Sequence, residues 1–351
     1  MCDTHVSPIE AAASAPIPAP GSAVDPVHLQ PVDEVTVTTL VDNVYDALLG
    51  GDETTNRAPF RVGTARAPQF ENGRTTVGLM AEHGFSALVS VRRGTTTSTV
   101  LFDAGLSPDA MSTNAERLGV SFTDVMAIVL SHGHFDHAGG LVGLAAKRGK
   151  RALPMVVHPE AWTRRRLVLP GADPELLPSL SRTALESEGF AIIERRQPSL
   201  LVDGCLLVTG EVDRTTEFER GMPAAHQFRV EGRWHHDPTV IDDQAVVIHV
   251  RGRGLVILTG CAHAGAINIV RHAQRLSGVP RLCALIGGLH LSGPAFEPVI
   301  GQTTAALEEL RPQLLVPGHC TGWRAQHALA AALPDAFVAG STGSSYRIAA
   351  A

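Results

Sequence analysis

The sequence predicts an α/β protein in which β-sheets are covered by helices. Short apolar runs of strand length recur along it: Phe85–Val91, Thr99–Phe102, Ala127–Leu130, Met155–His158, Leu206–Thr209, Ala245–Val250, Leu255–Thr259, Cys283–Ile286 and Leu314–Val316. Stretches with helical spacing fall between several of them, at Pro108–Leu118, Leu141–Lys147, Ala266–Leu276, Thr303–Leu310 and Ala325–Leu333. Strands in runs, with helices interposed, are the pattern of a layered fold in which each sheet buries a face against helices.

Taken in order, residues 7–31 are rich in Pro, Ala and Ser, and the chain is expected to be a disordered tail over 1–33. Ordered structure is expected from Val35, where VDEVTVTTLVDN alternates as a strand does and Asp42 and Asn43 close it. Two apolar runs then end at Asp103-Ala104-Gly105. Residues 159–240 carry more charge, Pro and Arg, and are expected to form an inserted cap. The 351 residues suffice for one large core or two modest ones. One domain over 34–351 with that cap is the expectation.

Composition narrows the function classes. Hydrophobic residues make up 44% and charged residues 18%, as in ordinary globular proteins. The net charge of −6 lacks the basic excess that displaces counterions from nucleic acid, so no nucleic-acid partner is expected. No apolar run approaches the roughly 20 residues needed to span a bilayer, so no membrane partner is expected either. The five cysteines (Cys2, Cys205, Cys261, Cys283, Cys320) are scattered and form no Cys-x-x-Cys pair. That argues against a disulfide framework and for a reducing compartment. The first residues also lack the basic start and apolar run of a secretory signal, and the cytoplasm is the expected location. Sixteen histidines against five cysteines point to imidazole-based metal chemistry.

The chemistry concentrates in Ser131-His132-Gly133-His134-Phe135-Asp136-His137-Ala138-Gly139-Gly140, directly after the apolar run AIVL. In extended chain His132 and His134, two apart, face the same side. Asp136 and His137 add an oxygen and a nitrogen from the next turn, and the two glycines let the backbone fold tightly into a helix. Four ligand-capable groups within six residues can hold two ions at little loop-closure cost. At this chain's own His and Asp frequencies H-x-H-x-D-H arises by chance in about 0.002 of chains this long, so accident is a poor account of it.

This segment resembles the H-x-H-x-D-H signature of the metallo-β-lactamase fold superfamily. FDAG at 102–105 resembles the strand and Asp that precede the signature in that superfamily, and VILTGC at 256–261 and LLVPGHCTG at 314–322 resemble its later landmarks, in its order. EHGFS, TGEVDRTTEFE, DDQA, TGCAHAG, GGLHL and GHCTG resemble one branch. It is the branch containing the methanopterin-pathway dihydropterin–ribofuranosylaminobenzene-phosphate synthase. The resemblance implies a four-layer αββα sandwich of two mixed β-sheets flanked by helices. It implies two divalent ions, zinc foremost with iron or manganese as alternatives, His132 and His134 on one, and Asp136, His137 and His319 on the other.

For the third ligand of the first ion, His263 and Glu211 compete. Cys261 stands where the superfamily usually has a bridging Asp; a thiolate is softer and favours zinc over manganese. Equally, Cys261 is read as a buried bystander with His263 in its place. His290 in GGLHL is a candidate ligand, proton donor or substrate contact, and Asp136 a candidate to orient the attacking water. Asp103 is read as orienting a ligand histidine, because metal-bound imidazoles need an acceptor behind them. His83 is read as a supporting group. His158, His226, His235, His236, His249, His272 and His327 have no motif context and read as surface or helix-face residues.

Arg164-Arg165-Arg166 and Arg214 are candidate grips for an anionic substrate, with a solvated helix face as the plain reading of the first three, and Glu211 is a further candidate substrate contact. The expected activity is a dinuclear hydrolase acting on a small-molecule ester, lactone, thioester or phosphodiester. The alternative implied by the branch is a transferase joining a pterin-methyl group to an arylamine ribose phosphate. A di-iron oxidoreductase and a metal-free binding protein rank below both. The superfamily often forms dimers, which makes a homodimer a further expectation.

Overall fold

A computed structural model of the chain describes residues 26–149 and 152–351. Among them two mixed sheets pack face to face. The first has eight strands, ordered in space Phe190–Glu194, Leu153–Val157, Val125–Val129, Thr96–Phe102, Ser86–Arg93, Glu34–Val41, Ser345–Ala349 and Thr55–Asn56. Its first four strands are mutually parallel and the rest pair antiparallel. The second has six, ordered Ser199–Leu201, Leu206–Val208, Val246–Val250, Gly254–Thr259, Leu282–Gly288 and Leu314–Gly318, with its last three parallel.

Alternation along the strands builds three apolar layers. Val89, Val100, Phe102 and Val129 of the first sheet meet Val208, Val246, Val256, Leu258 and Ile286 of the second. The intervening residues Leu88, Leu101 and Ile128 face Met111, Leu141 and Leu144 of the helices Ala110–Leu118 and Leu141–Arg148. On the far side Ile257, Leu285 and Leu315 meet Ile267, Val270, Leu307 and Leu329 of the helices Ala266–Ser277, Ile300–Leu310 and Trp323–Ala332. Each such side chain, fully buried, contributes about 1.5–3 kcal/mol. The result is the four-layer αββα sandwich.

Two expectations need correction. The tail was expected to stay disordered to residue 33. Residues 1–25 lie outside the described residues, but Leu29 and Val32 are buried, Val27 N donates to Leu276 O at 2.7 Å, and Val32 bridges to Val250. Apolar side chains within a Pro-rich stretch find the end of the strand Val246–Val250 and the helix Ala266–Ser277. The cap is also not one insertion. Arg165–Leu167, Glu175–Leu176, His226–Val230 and Arg233–His236 do form a separate four-stranded sheet. Yet Phe190–Glu194 lies at the edge of the first main sheet, and Ser199–Leu201 and Leu206–Val208 belong to the second. The cap is therefore two excursions flanking the crossover between the main sheets.

Every parallel strand ends at the same rim of the sandwich, and the chemistry-bearing loops gather there. Val125–Val129 runs into His132, Gly254–Thr259 into Cys261, Leu282–Gly288 into His290, and Leu314–Gly318 into His319.

Candidate metal centre

The loop after Val125–Val129 is fixed before any side chain is considered. Asp103 closes the neighbouring strand and accepts Ser131 N at 2.7 Å, Gly133 N donates to Asp242 at 2.7 Å, and Ala104 N donates to His137 O at 2.7 Å. The loop then presses against Leu106 so closely that a Cβ at Gly139 would lie 1.7 Å from the Leu106 carbonyl oxygen. Only glycine fits at that approach.

Three imidazole nitrogens converge on one point. His132 Nε2 and His134 Nδ1 are 3.0 Å apart, and His263 Nε2 is 3.2 Å from each. Three nitrogens bound at about 2.0–2.1 Å to one tetrahedral ion lie roughly 3.3 Å from one another. Proton counting supports lone pairs there. The Ser131 hydroxyl donates to Asp103 Oδ2 at 2.7 Å, so at 2.8 Å it accepts from His132 Nδ1, which leaves His132 Nε2 unprotonated. Burial first, and then the charge of neighbouring rings and Arg165, hold His132 and His134 well below the usual imidazole range. Burial and the neighbouring rings do the same for His263.

A second group adjoins the first. Asp136 Oδ2 lies 3.4 Å from His319 Nε2 and 3.8 Å from His137 Nε2. His319 Nε2 is buried without a hydrogen-bond partner, and its ring is set from behind by Asn43 Oδ1 at 3.2 Å from Nδ1. Asp103 Oδ2 takes His137 Nδ1–H at 2.7 Å. Burial works against charge on His137, but the Asp103 and Asp136 carboxylates outweigh it and hold the imidazole at about 9. Asp136, in spite of its burial, is kept below the usual carboxylate range by His137 and His319.

Cys261 sits between the groups. Its Sγ is 3.2 Å from His137 Nε2, and it lies within 4.8 Å of ligand atoms of His132 and His263 on one side and of His137 and His319 on the other. The donor set, five histidines, a carboxylate and a central sulfur, fits divalent metal binding.

The remaining candidates fall as follows. Glu211 does not join the cluster: its Oε1 accepts His158 Nε2 at 3.1 Å and Arg196 Nη1 at 3.0 Å, whereas His263 is the residue that stands beside His132 and His134. Arg164 is exposed. Arg165 is buried between Asp237 and Asp242, and Arg166 lies over the Trp234 ring. Arg214 donates to the carbonyls of His263 and Thr239, which makes it a support of the His263 loop rather than a free anion grip. His290 stacks 4.2 Å from His263, ring centre to ring centre, with Nδ1 buried and unpartnered. His83 reaches 3.9 Å from Asp136 Oδ2.

Three expected surface histidines are not on the surface. His158 is buried against Glu211, His226, from the cap strand, meets His134 Nε2 at 3.1 Å, and buried His272 packs on the helix Ala266–Ser277 against Asp213 and Arg275. None has a local sequence signal, because Glu211, His134 and Asp213, which face them, lie tens of positions away along the chain.

A cavity of about 340 Å³ opens beside His263 and His290, walled by Phe218, Leu291, Phe296 and Val299, with Glu217, Arg220 and Gln302 as its polar edge.

A sandwich of this topology, with these histidines and Asp136 at the ends of its parallel strands, defines a metallo-β-lactamase-type protein. The chain belongs to the Metallo-beta-lactamase superfamily, which matches residues 82–319. It is 30% identical over 255 residues to the 7,8-dihydropterin-6-methyl-4-(β-D-ribofuranosyl)-aminobenzene-5'-phosphate synthase of Methanocaldococcus jannaschii, covering 70% of this chain and 83% of that one. A second protein of that organism, itself uncharacterized, is 30% identical over 258 residues, covering 70% of this chain and 86% of its own length. Among solved structures, Tm1679, a metal-dependent hydrolase of the β-lactamase superfamily, superposes with a TM-score of 0.65 at 22% identity, over 90% of this chain and 99% of that one. That likeness is one of fold. No helix among the described residues is long and apolar enough to cross a membrane.

Proposed function

We propose that this protein is a hydrolase with a dinuclear metal centre, most suited to zinc, acting on a small-molecule ester, lactone, thioester or phosphodiester. The observation that carries the reading is the triangle of His132, His134 and His263 nitrogens beside the Asp136–His137–His319 group, with Cys261 between them. His132, His134 and His263 would hold one ion, and Asp136, His137 and His319 the other. Bound there, divalent ions supply Lewis-acid polarisation of the scissile group and an activated water at neutral pH.

The chain's own residues do the rest. Asp136, ionised and 12% exposed at its side chain, accepts a hydrogen bond from the attacking water and so orients it. His290 lines the cavity beside His263 and would donate a ring N–H to the leaving group. Phe218, Leu291, Phe296 and Val299 exclude water from the bound substrate.

Identity to the synthase favours a second reading, transfer of a pterin-methyl group to an aminobenzene ribose phosphate. Against it, neither Arg164–Arg166 nor Arg214 lines the cavity, and among the described residues in its wall Arg220 is the one guanidinium, beside Glu217 and Glu219. A phosphate-bearing acceptor would want more positive charge than that. Elemental analysis of protein purified without added metal, followed by a panel of lactones, esters and phosphodiesters, tests the proposal. About two zinc per chain with turnover of a panel member supports it. Turnover of the pterin–arylamine pair alone supports the second reading. A chain that neither carries nor takes up metal overturns both.

A further inference from the structure

We propose that Cys261, His290 and Cys320 form a third cation position, adjoining the two described above, that takes a soft ion of the zinc and cadmium kind. The inference extends the two-ion reading, because Cys261 belongs to both. Its basis is the order of the second sheet. Gly254–Thr259, Leu282–Gly288 and Leu314–Gly318 are adjacent and parallel, and just beyond their ends they deliver Cys261, His290 and Cys320 respectively. One ligand atom from each of the three lies within 4.8 Å of the other two. Sulfur donors bound at about 2.3 Å and a nitrogen at about 2.0–2.1 Å require that kind of proximity, with modest tightening on binding.

Two further features mark the spot as a built one. A Cβ at Gly288, in the middle strand, would lie 2.7 Å from Cys320 Sγ and 3.2 Å from Cys261 Cα, so the absence of a side chain there is what admits the cysteines to one another. Both cysteines are almost wholly buried, and His290 Nδ1 is buried with no partner in the protein. Two thiolates and a neutral imidazole would neutralise a divalent ion in this interior, where an uncompensated charge is costly. The donor softness selects zinc or cadmium over magnesium, calcium or manganese. With one nitrogen on the ion, His290 keeps its other ring N–H for the cavity, in keeping with the hydrogen bond assigned to it above.

The test is cadmium loading under reductant, with the bound ion counted after desalting and the sulfur-to-metal ultraviolet absorption recorded. Wild-type protein is compared with Cys320→Ser and Cys320→Ala, whose folding is checked by circular dichroism. We expect each variant to bind one equivalent fewer and to lose about half the sulfur-to-cadmium absorption. Unchanged stoichiometry and absorption would overturn the assignment, whatever the total. Anomalous diffraction from cadmium-loaded wild-type crystals needs no variant: an ion between the three side chains supports the position, and its absence with ions at the histidine groups overturns it. Failure of the two-ion reading is separable, since it shows as loss of the ions at His132–His134–His263 and Asp136–His137–His319.

Discussion

Asp103 Oδ2 lies 2.7 Å from His137 Nδ1, and neither side chain reaches solvent. The same carboxylate takes the Ser131 hydroxyl at 2.7 Å, which in turn takes His132 Nδ1–H at 2.8 Å. One carboxylate thus sets a ring in each half of the centre. Asp103→Asn is expected to weaken metal binding about 10–100-fold at both positions with the sandwich intact, since groups behind metal ligands have effects of that size. Competition with a chromophoric chelator measures it; unchanged affinity would remove Asp103 from the account.

His263 and Glu211 make a discriminating pair. His263→Ala should cost about one metal equivalent, because it removes a corner of the nitrogen triangle, whereas Glu211→Gln should keep full stoichiometry. Elemental analysis of the two variants side by side decides it, and the reverse pattern would restore Glu211 as the ligand.

Arg165 is buried between Asp237 and Asp242, and Asp242 also holds Gly133 N of the histidine loop at 2.7 Å. Removing one partner of a buried pair leaves the other charge uncompensated, at about 3–5 kcal/mol. Arg165→Met should therefore lower the unfolding free energy by about that much. A denaturant midpoint like that of the wild type would show that the cap and the metal loop are not joined through this residue.

His272 supplies a dependence on pH. Burial lowers its imidazole to about 4, below the ordinary value of 6.5, so between those values the unfolded chain binds the proton and the folded chain does not. Its contribution is complete above pH 6.5 and is lost as the pH falls from there toward 4, on the order of 3 kcal/mol in all. His272→Gln should flatten that part of the stability–pH curve. If urea midpoints of variant and wild type run parallel from pH 7 to 4, the buried neutral state of His272 is refuted.

Local signals account for what could be read before the fold was seen. The apolar runs name the main strands because burial on both faces leaves no polar alternation, as in Gly254–Thr259. The segment 131–140 names most of the centre because its ligands lie within six residues. Harder cases are elements whose stability comes from partners far along the chain. Ser345–Ala349 is a strand because it pairs with Glu34–Val41, and Phe190–Glu194 because it lies beside Leu153–Val157.

The sequence by itself determined the α/β class, the H-x-H-x-D-H loop and the presence of His263, Cys261 and His319 at later strand ends, since each is a matter of spacing along one segment. Only the tertiary structure set His263 rather than Glu211 beside His132 and His134, brought His226 behind His134, tied up Arg165 and Arg214, and set Cys320 beside Cys261. Those relationships join residues tens to more than a hundred positions apart. Their distances are fixed by how two sheets stack and where parallel strands end, and no local pattern encodes that.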